Sequence, residues 1–189
     1  MSRPAITDTT TLAEGRFLQL ELVSYTDSHG TPRRWEVARR RHEAQAVFIL
    51  ATLRPSNRLL LIRQYRVPVG AFCLEVPAGL IDDSETPEQA ARRELLEETG
   101  YTGTLRWCGP AAASSAGLTS ELVTTAVMDI DETLPENQHP RQRLDDGEEL
   151  DVLAIPLDEL GAAIAEATRR GDVPDSRLVA WAIGLGLRW

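Results

Sequence analysis

A chain of 189 residues, 42% hydrophobic and 26% charged, is long enough for one well-packed α/β domain with a small appendage, too short for two full-sized domains, and far from a disordered composition. Its formal net charge of −9 excludes general attraction to nucleic acid or to an anionic membrane, since both need a basic surface. Cys73 and Cys108 have no paired spacing, the N-terminus has no apolar leader, and no apolar run approaches the ~18 residues of a membrane span, so the expectation is a cytoplasmic protein with free thiols.

Residues 17 to 25 alternate apolar and polar, Asp27-Ser-His-Gly30 supplies a turn, and Arg33 to Val37 runs back, which predicts a hairpin. This sets an N-terminal strand subdomain, residues 1–42, apart from a main domain, residues 43–189. From Ala46 the chain reads as a buried strand, turns at Arg54-Pro-Ser-Asn57, and returns from Leu59 to Arg66. A short strand from Phe72 to Val76 leads into Pro77-Ala78-Gly79. The next segment predicts a helix with clear ends: Thr86 as N-cap, Pro87 in the first helical position, Gln89 completing a capping box, and Gly100 as a left-handed stop. Further strands are expected at Leu122 to Met128 and Leu150 to Ile155, and helices at Asp158 to Arg170 and Asp175 to Leu187. In the last helix Leu178, Val179, Trp181, Ala182 and Ile183 read as packing residues. Strands on both sides of one helix, closed by another, describe an α/β sandwich around a mixed sheet.

At ~3.6 residues per turn Glu94, Glu97 and Glu98 share an arc of roughly 100°, so three carboxylates point one way. Like charges at i,i+4 weaken a helix, and something must offset them. One offset is solvation of an acidic face, helped by Arg92 and Arg93. The other is a hard divalent cation, Mg²⁺ or Mn²⁺, which prefers oxygen ligands. The three histidines, His29, His42 and His139, are scattered without zinc spacing, and no Ser-His-Asp set or paired nucleophilic cysteine is evident. The chemistry that suits such a cluster is attack of activated water on phosphorus. The polar connection from Asp129 to Asp146 runs into the acidic cluster Asp145-Asp146-Gly147-Glu148-Glu149, and reads either as a surface loop or as a mobile lid.

Gly79, Glu85 and Arg93-Glu-Leu-x-Glu-Glu-x-Gly100, with Tyr101 in the usual aliphatic position, resemble the Nudix box. Glu75-Val-Pro-Ala-Gly-Leu-Ile-Asp-Asp, Gln64-Tyr-Arg66, Arg34-Trp-Glu-Val and Asp146-Gly-Glu148 extend the resemblance to the ADP-ribose and ADP-sugar pyrophosphatase branch of the Nudix hydrolases. The resemblance implies a homodimer that cuts a nucleoside diphosphate sugar into a nucleoside monophosphate and a sugar phosphate. It implies Mg²⁺, with Mn²⁺ as substitute, held by the Ala78 carbonyl, Glu94, Glu97 and Glu98, with support from Glu85. Glu97, Glu148 and Arg93 form the implied catalytic set, and Arg66 would contact the diphosphate, with Arg39 or Arg40 near it. Phe17 and Trp35 would sandwich the adenine, with Glu36 accepting from its amino group; a strand aromatic packed on its neighbour is the other reading of Trp35. The loop residues Ala116 and Gly117 border the sugar pocket, and Ala116 stands where relatives carry proline, which loosens that loop. Other nucleotide substrates, GDP-mannose, dinucleoside polyphosphates or capped RNA, and a non-catalytic ligand sensor are the competing expectations.

Overall fold

The computed structural model describes residues 2–41 and 45–187, so His42 lies outside the described residues. The chain groups into two units, one of residues 1–46 with 111–124 and one of residues 47–110 with 125–189, where the sequence places a single boundary after residue 42.

In the first unit β1 (Ala5–Glu14), β2 (Leu18–Thr26) and β3 (Pro32–Arg40) form an antiparallel sheet. The expected hairpin is β2–β3, in register from Leu18 against Arg40 to Thr26 against Pro32. Asp27 closes it: one carboxylate oxygen accepts from the backbone N–H groups of His29 and Thr31, both at 2.9 Å, while Gly30 takes the left-handed φ of 83°. The basic run that follows is paired. Arg39 donates to buried Glu21 at 2.9 Å, Arg40 to Glu121 at 2.8 Å, and Arg41 lies 2.7 Å from Glu14.

The second unit is built on β4 (Ala46–Arg54), β5 (Arg58–Arg66), β6 (Ala71–Glu75) and β7 (Ala78–Leu80), followed by α1 (Pro87–Thr99). After it come β8 (Thr104–Ala113), β9 (Leu122–Asp131), the single turn α2 (Pro135–Gln138), β10 (Leu150–Pro156), α3 (Leu160–Arg169), β11 (Val173–Pro174) and α4 (Ser176–Gly184). The sheet order is β11-β6-β5-β4-β9-β8, with β10 paired to β5 and β7 to β4. Because β11 runs parallel to β6 while β10 and β6 run antiparallel to β5, the sheet is mixed and the fold is α/β, as expected.

Val47 to Leu53 are all buried, which marks β4 as a strand covered on both faces. One set, Val47, Ile49, Ala51 and Leu53, packs in a cluster with Ala90, Ala91 and Leu95 of α1 and Ala126, Met128 and Ile130 of β9. The alternate set faces the other way, where the Arg177 guanidinium of α4 lies 4.6 Å over the Phe48 ring. In α4 Leu178 and Ala182 are buried as expected, but Ile183, in the last turn before the helix stops at Gly184, is 58% exposed. Both cysteines are free thiols, and no described helix is long and apolar enough to cross a membrane.

Candidate active site

The glutamate helix forms as its sequence dictates. Thr86 accepts from the Gln89 backbone while the Gln89 side chain accepts from the Thr86 N–H, Pro87 opens the helix, and Gly100 ends it at φ 76°. A second reason for Gly100 lies outside the helix: a Cβ there would meet the Arg141 backbone nitrogen at 2.2 Å. The segment after α2 wraps the end of α1, the Arg143 N–H donating to the Glu97 carbonyl at 2.7 Å and the Gln142 amide to the Glu98 carbonyl at 2.8 Å. These contacts use carbonyls that a helix C-terminus leaves without partners.

Upstream, buried Asn137 donates to the carbonyls of Thr102 and Asp131 and accepts from the Thr102 N–H and hydroxyl. The long polar connection is therefore tied down twice before it reaches Asp145. Its last residues lead to Glu148, two positions ahead of Leu150, which is in register with Gln64 of β5.

Glu94, Glu97 and Glu148 line one cavity of about 520 Å³ together with Ala78, Gly79, Arg93 and Arg143. Gly79 is a seat for Glu94, since a Cβ on Gly79 would lie 1.9 Å from the Glu94 carboxyl group. Glu98 is buried behind that wall and accepts from the Ala78 N–H at 3.0 Å. Burial pushes the Glu98 carboxyl up to about 8, and the charges of Glu94 and Glu148 push the same way, against the Ala78 hydrogen bond and the nearby Arg66 charge. Glu94 is also raised, first by burial, with Glu97 and Glu148 adding to it against the opposing Arg93. Glu94 thus feels the charges of Glu97 and Glu148, and Glu98 those of Glu94 and Glu148.

Arg93 is the internal counterweight. Its Nε and Nη2 donate to both oxygens of Glu85 at 2.8 Å, Nη1 to Glu94 at 2.8 Å and Glu97 at 3.1 Å, and Nη2 also to the Leu80 carbonyl at 2.9 Å. All five guanidinium donors have acceptors, so Arg93 offers none to the cavity. The sequence reading puts Arg93 in the catalytic set; in the structure its guanidinium is bonded to Glu85, Glu94, Glu97 and the Leu80 carbonyl. Glu85, held below the ordinary carboxylate range by its Arg93 hydrogen bonds, anchors that guanidinium.

Among the described residues no three acidic or histidine side chains already converge on one ion position, because Arg93 stands among them. The donor chemistry nevertheless fits a hard divalent cation: Glu94, Glu97 and Glu148 line the cavity, Gly79 leaves Glu94 room, and Glu98 and Glu94 stay raised by burial despite the Arg66 and Arg93 charges near them, so a cation would favour their ionised forms.

The remaining expected site residues fall in several places. Arg66 donates to Glu75 at 2.8 Å and its charge reaches Glu98. In the first unit Trp35 is 51% exposed, and its indole N–H donates to the Gly117 carbonyl at 3.1 Å, next to Ala116. Phe17 is exposed, with the Arg16 guanidinium 5.0 Å from its ring centroid. The Phe17 carbonyl accepts from Arg41 N–H, so Phe17 lies level with Arg41, six residues and roughly 20 Å along β3 from Trp35. One chain therefore does not bring the two rings together. Strand alternation also turns Glu36 to the face opposite Trp35. Arg40 is engaged with Glu121. Sequence reasoning missed Gly79 as a seat, Asp82, Asp145 and Arg143 in the cavity lining, and Asn137 as an anchor.

Residues 42–181 match the NUDIX domain family. The chain is 35% identical over 162 residues to the ADP-sugar pyrophosphatase of Mus musculus, covering 82% of this chain and 74% of that one. It is 32% identical over 178 residues to the ADP-ribose pyrophosphatase of Saccharomyces cerevisiae, covering 90% and 77%. Among solved structures, the crystal structure of an ADP compounds hydrolase superposes with a TM-score of 0.70 at 27% identity, over 98% of this chain and 92% of that one. A capped helix of clustered glutamates, a glycine seat and family matches over most of the chain agree: this chain belongs to the Nudix family and is a Nudix hydrolase.

Proposed function

We propose that the chain hydrolyses the diphosphate bond of ADP-ribose or a related nucleoside diphosphate sugar, with Mg²⁺ as its metal and Mn²⁺ as a substitute, to give a nucleoside monophosphate and a sugar phosphate. The observation that carries the reading is the lining of one cavity by Glu94, Glu97 and Glu148, with Glu94 seated on Gly79 and Glu98 buried against the Ala78 N–H. The relatives named ADP-sugar and ADP-ribose pyrophosphatase support the substrate class.

Ala78, Glu94, Glu97 and Glu98 would hold the cation, which supplies charge neutralisation at the diphosphate and lowers the pKa of water. Glu98 must give up its proton to serve, and the Ala78 N–H and the Arg66 charge favour its carboxylate form. Arg93 keeps Glu94 and Glu97 aimed at the cavity. Glu148, in the same cavity lining, orients the attacking water or takes its proton.

Two copies of the chain complete the base site in this reading. Because Phe17 and Trp35 of one chain are far apart along the sheet, an aromatic sandwich takes one ring from each of two chains, which supports a homodimer. Stacking on such rings is worth about 1–3 kcal/mol per base. The placement of Glu36 on the strand face opposite Trp35 favours a second reading in which a base other than adenine is accepted. A release assay across ADP-ribose, ADP-glucose, GDP-mannose and diadenosine polyphosphates, with and without Mg²⁺, tests both. The expected result is Mg²⁺-dependent AMP and ribose 5-phosphate from ADP-ribose. GMP as the main product supports the second reading, and no cleavage of any compound refutes both.

A further inference from the structure

The cavity is hostile to the ligand it must receive. Asp82, Glu94, Glu97, Asp145 and Glu148 line it, and a diphosphate brings more negative charge. Of its two lining cations, Arg93 has spent all five donors on Glu85, Glu94, Glu97 and Leu80. The other is Arg143, whose guanidinium has no hydrogen bond or ion pair among the described residues.

Arg143 is also held firmly at the lining of the cavity. Its own N–H donates to the Glu97 carbonyl at 2.7 Å, and the preceding Gln142 side chain holds the Glu98 carbonyl at 2.8 Å. The root of the side chain is therefore fixed to the helix that carries the carboxylates, while the side chain itself is exposed and, among the described residues, unpaired. A planar fork of donors on a fixed root suits two oxygens of a phosphate.

We infer that Arg143 binds the diphosphate of the substrate in this cavity, its guanidinium donating to phosphate oxygens; the inference rests on the pyrophosphohydrolase reading and names a residue for it. Arg143 supplies binding and orientation, while the carboxylates supply the chemistry. Since the cap on α1 uses the backbone of residue 143, side-chain substitution leaves it in place.

The test compares wild type, Arg143→Ala and Arg143→Lys in three measurements: ADP-ribose kinetics at saturating Mg²⁺, calorimetric binding of an α,β-methylene ADP-ribose analogue with Mg²⁺, and Mn²⁺ titration of the substrate-free protein. For Arg143→Ala, KM and the analogue Kd should rise about 10-fold with kcat within about twofold. Arg143→Lys should fall between, and Mn²⁺ affinity should not change. Unchanged KM and Kd in Arg143→Ala, beside an active wild type, overturn this inference alone. A parallel loss of Mn²⁺ affinity also overturns it, because Arg143 would then act on the metal centre. A wild-type protein that neither binds the analogue nor cleaves ADP-ribose overturns the functional reading and this inference together.

Discussion

Gly79 shows how a single missing carbon can place a charge. A methyl group there would overlap the Glu94 carboxyl group at 1.9 Å, but that group is the free end of a side chain and can swing aside. Gly79→Ala should therefore spare stability, with the thermal midpoint nearly unchanged, while Mn²⁺ affinity by calorimetry falls at least ~10-fold, the scale of a displaced ligand or of its support. A destabilised variant with normal affinity would place the role of Gly79 in folding. The sequence displays Gly79 as a motif position without this reason, since the reason is a contact across fifteen residues. The bonding of Arg93 was illegible for the same cause: its five acceptors come from β7, from Glu85 ahead of α1 and from α1 itself, and only the fold gathers them.

Among the elements, legibility followed local chemistry. The ends of α1 could be read because a capping box and a left-handed glycine act within a few residues. The β2–β3 hairpin could be read from alternation and its Asp-to-Gly turn. By contrast β1 is exposed throughout and rich in threonine, so no apolar period announces it. In β8 Gly109 and Pro110 sit inside the strand, against the usual propensities. The connection after β9 looked free because its anchors, Asn137 and Gln142, are ordinary polar residues until their distant partners are known. At Gly100 two demands coincide, a φ of 76° and the Arg141 backbone at Cβ range. Gly100→Ala should cost at least the roughly 1–2 kcal/mol of a left-handed alanine, measured by denaturant unfolding. A loss under about 0.5 kcal/mol, the range of an ordinary surface substitution, would contradict that packing.

Across the whole molecule, buried carboxyls with opposite environments set the dependence of stability on pH. Asp172 accepts from Arg63 at 2.8 and 2.9 Å and from Arg170 at 3.0 Å, which holds it below 3.8. Its contribution is present above that value and lost as pH falls through its lowered pKa. Glu98 behaves in reverse. Raised from 4.5 to about 8, it keeps a proton that the unfolded chain has already released, so its contribution is complete below 4.5 and is lost as pH rises towards about 8. Metal-free protein should therefore show thermal midpoints that decline between those pH values. With Glu98 as a carboxylate ligand, saturating Mn²⁺ should flatten the decline and release protons on binding near pH 7. Identical pH profiles with and without Mn²⁺ would show that Glu98 stays outside the metal centre.

The central claim is that the carboxylates of α1, buried Glu98 among them, gather the cation that drives diphosphate hydrolysis, and Glu98→Gln tests it most directly. Glutamine keeps the shape and the Ala78 hydrogen bond but cannot become anionic. With ADP-ribose and saturating Mg²⁺, kcat should fall at least ~100-fold, while the metal-free thermal midpoint at pH 8 is no lower than that of wild type. Turnover within a few-fold of wild type would contradict the account.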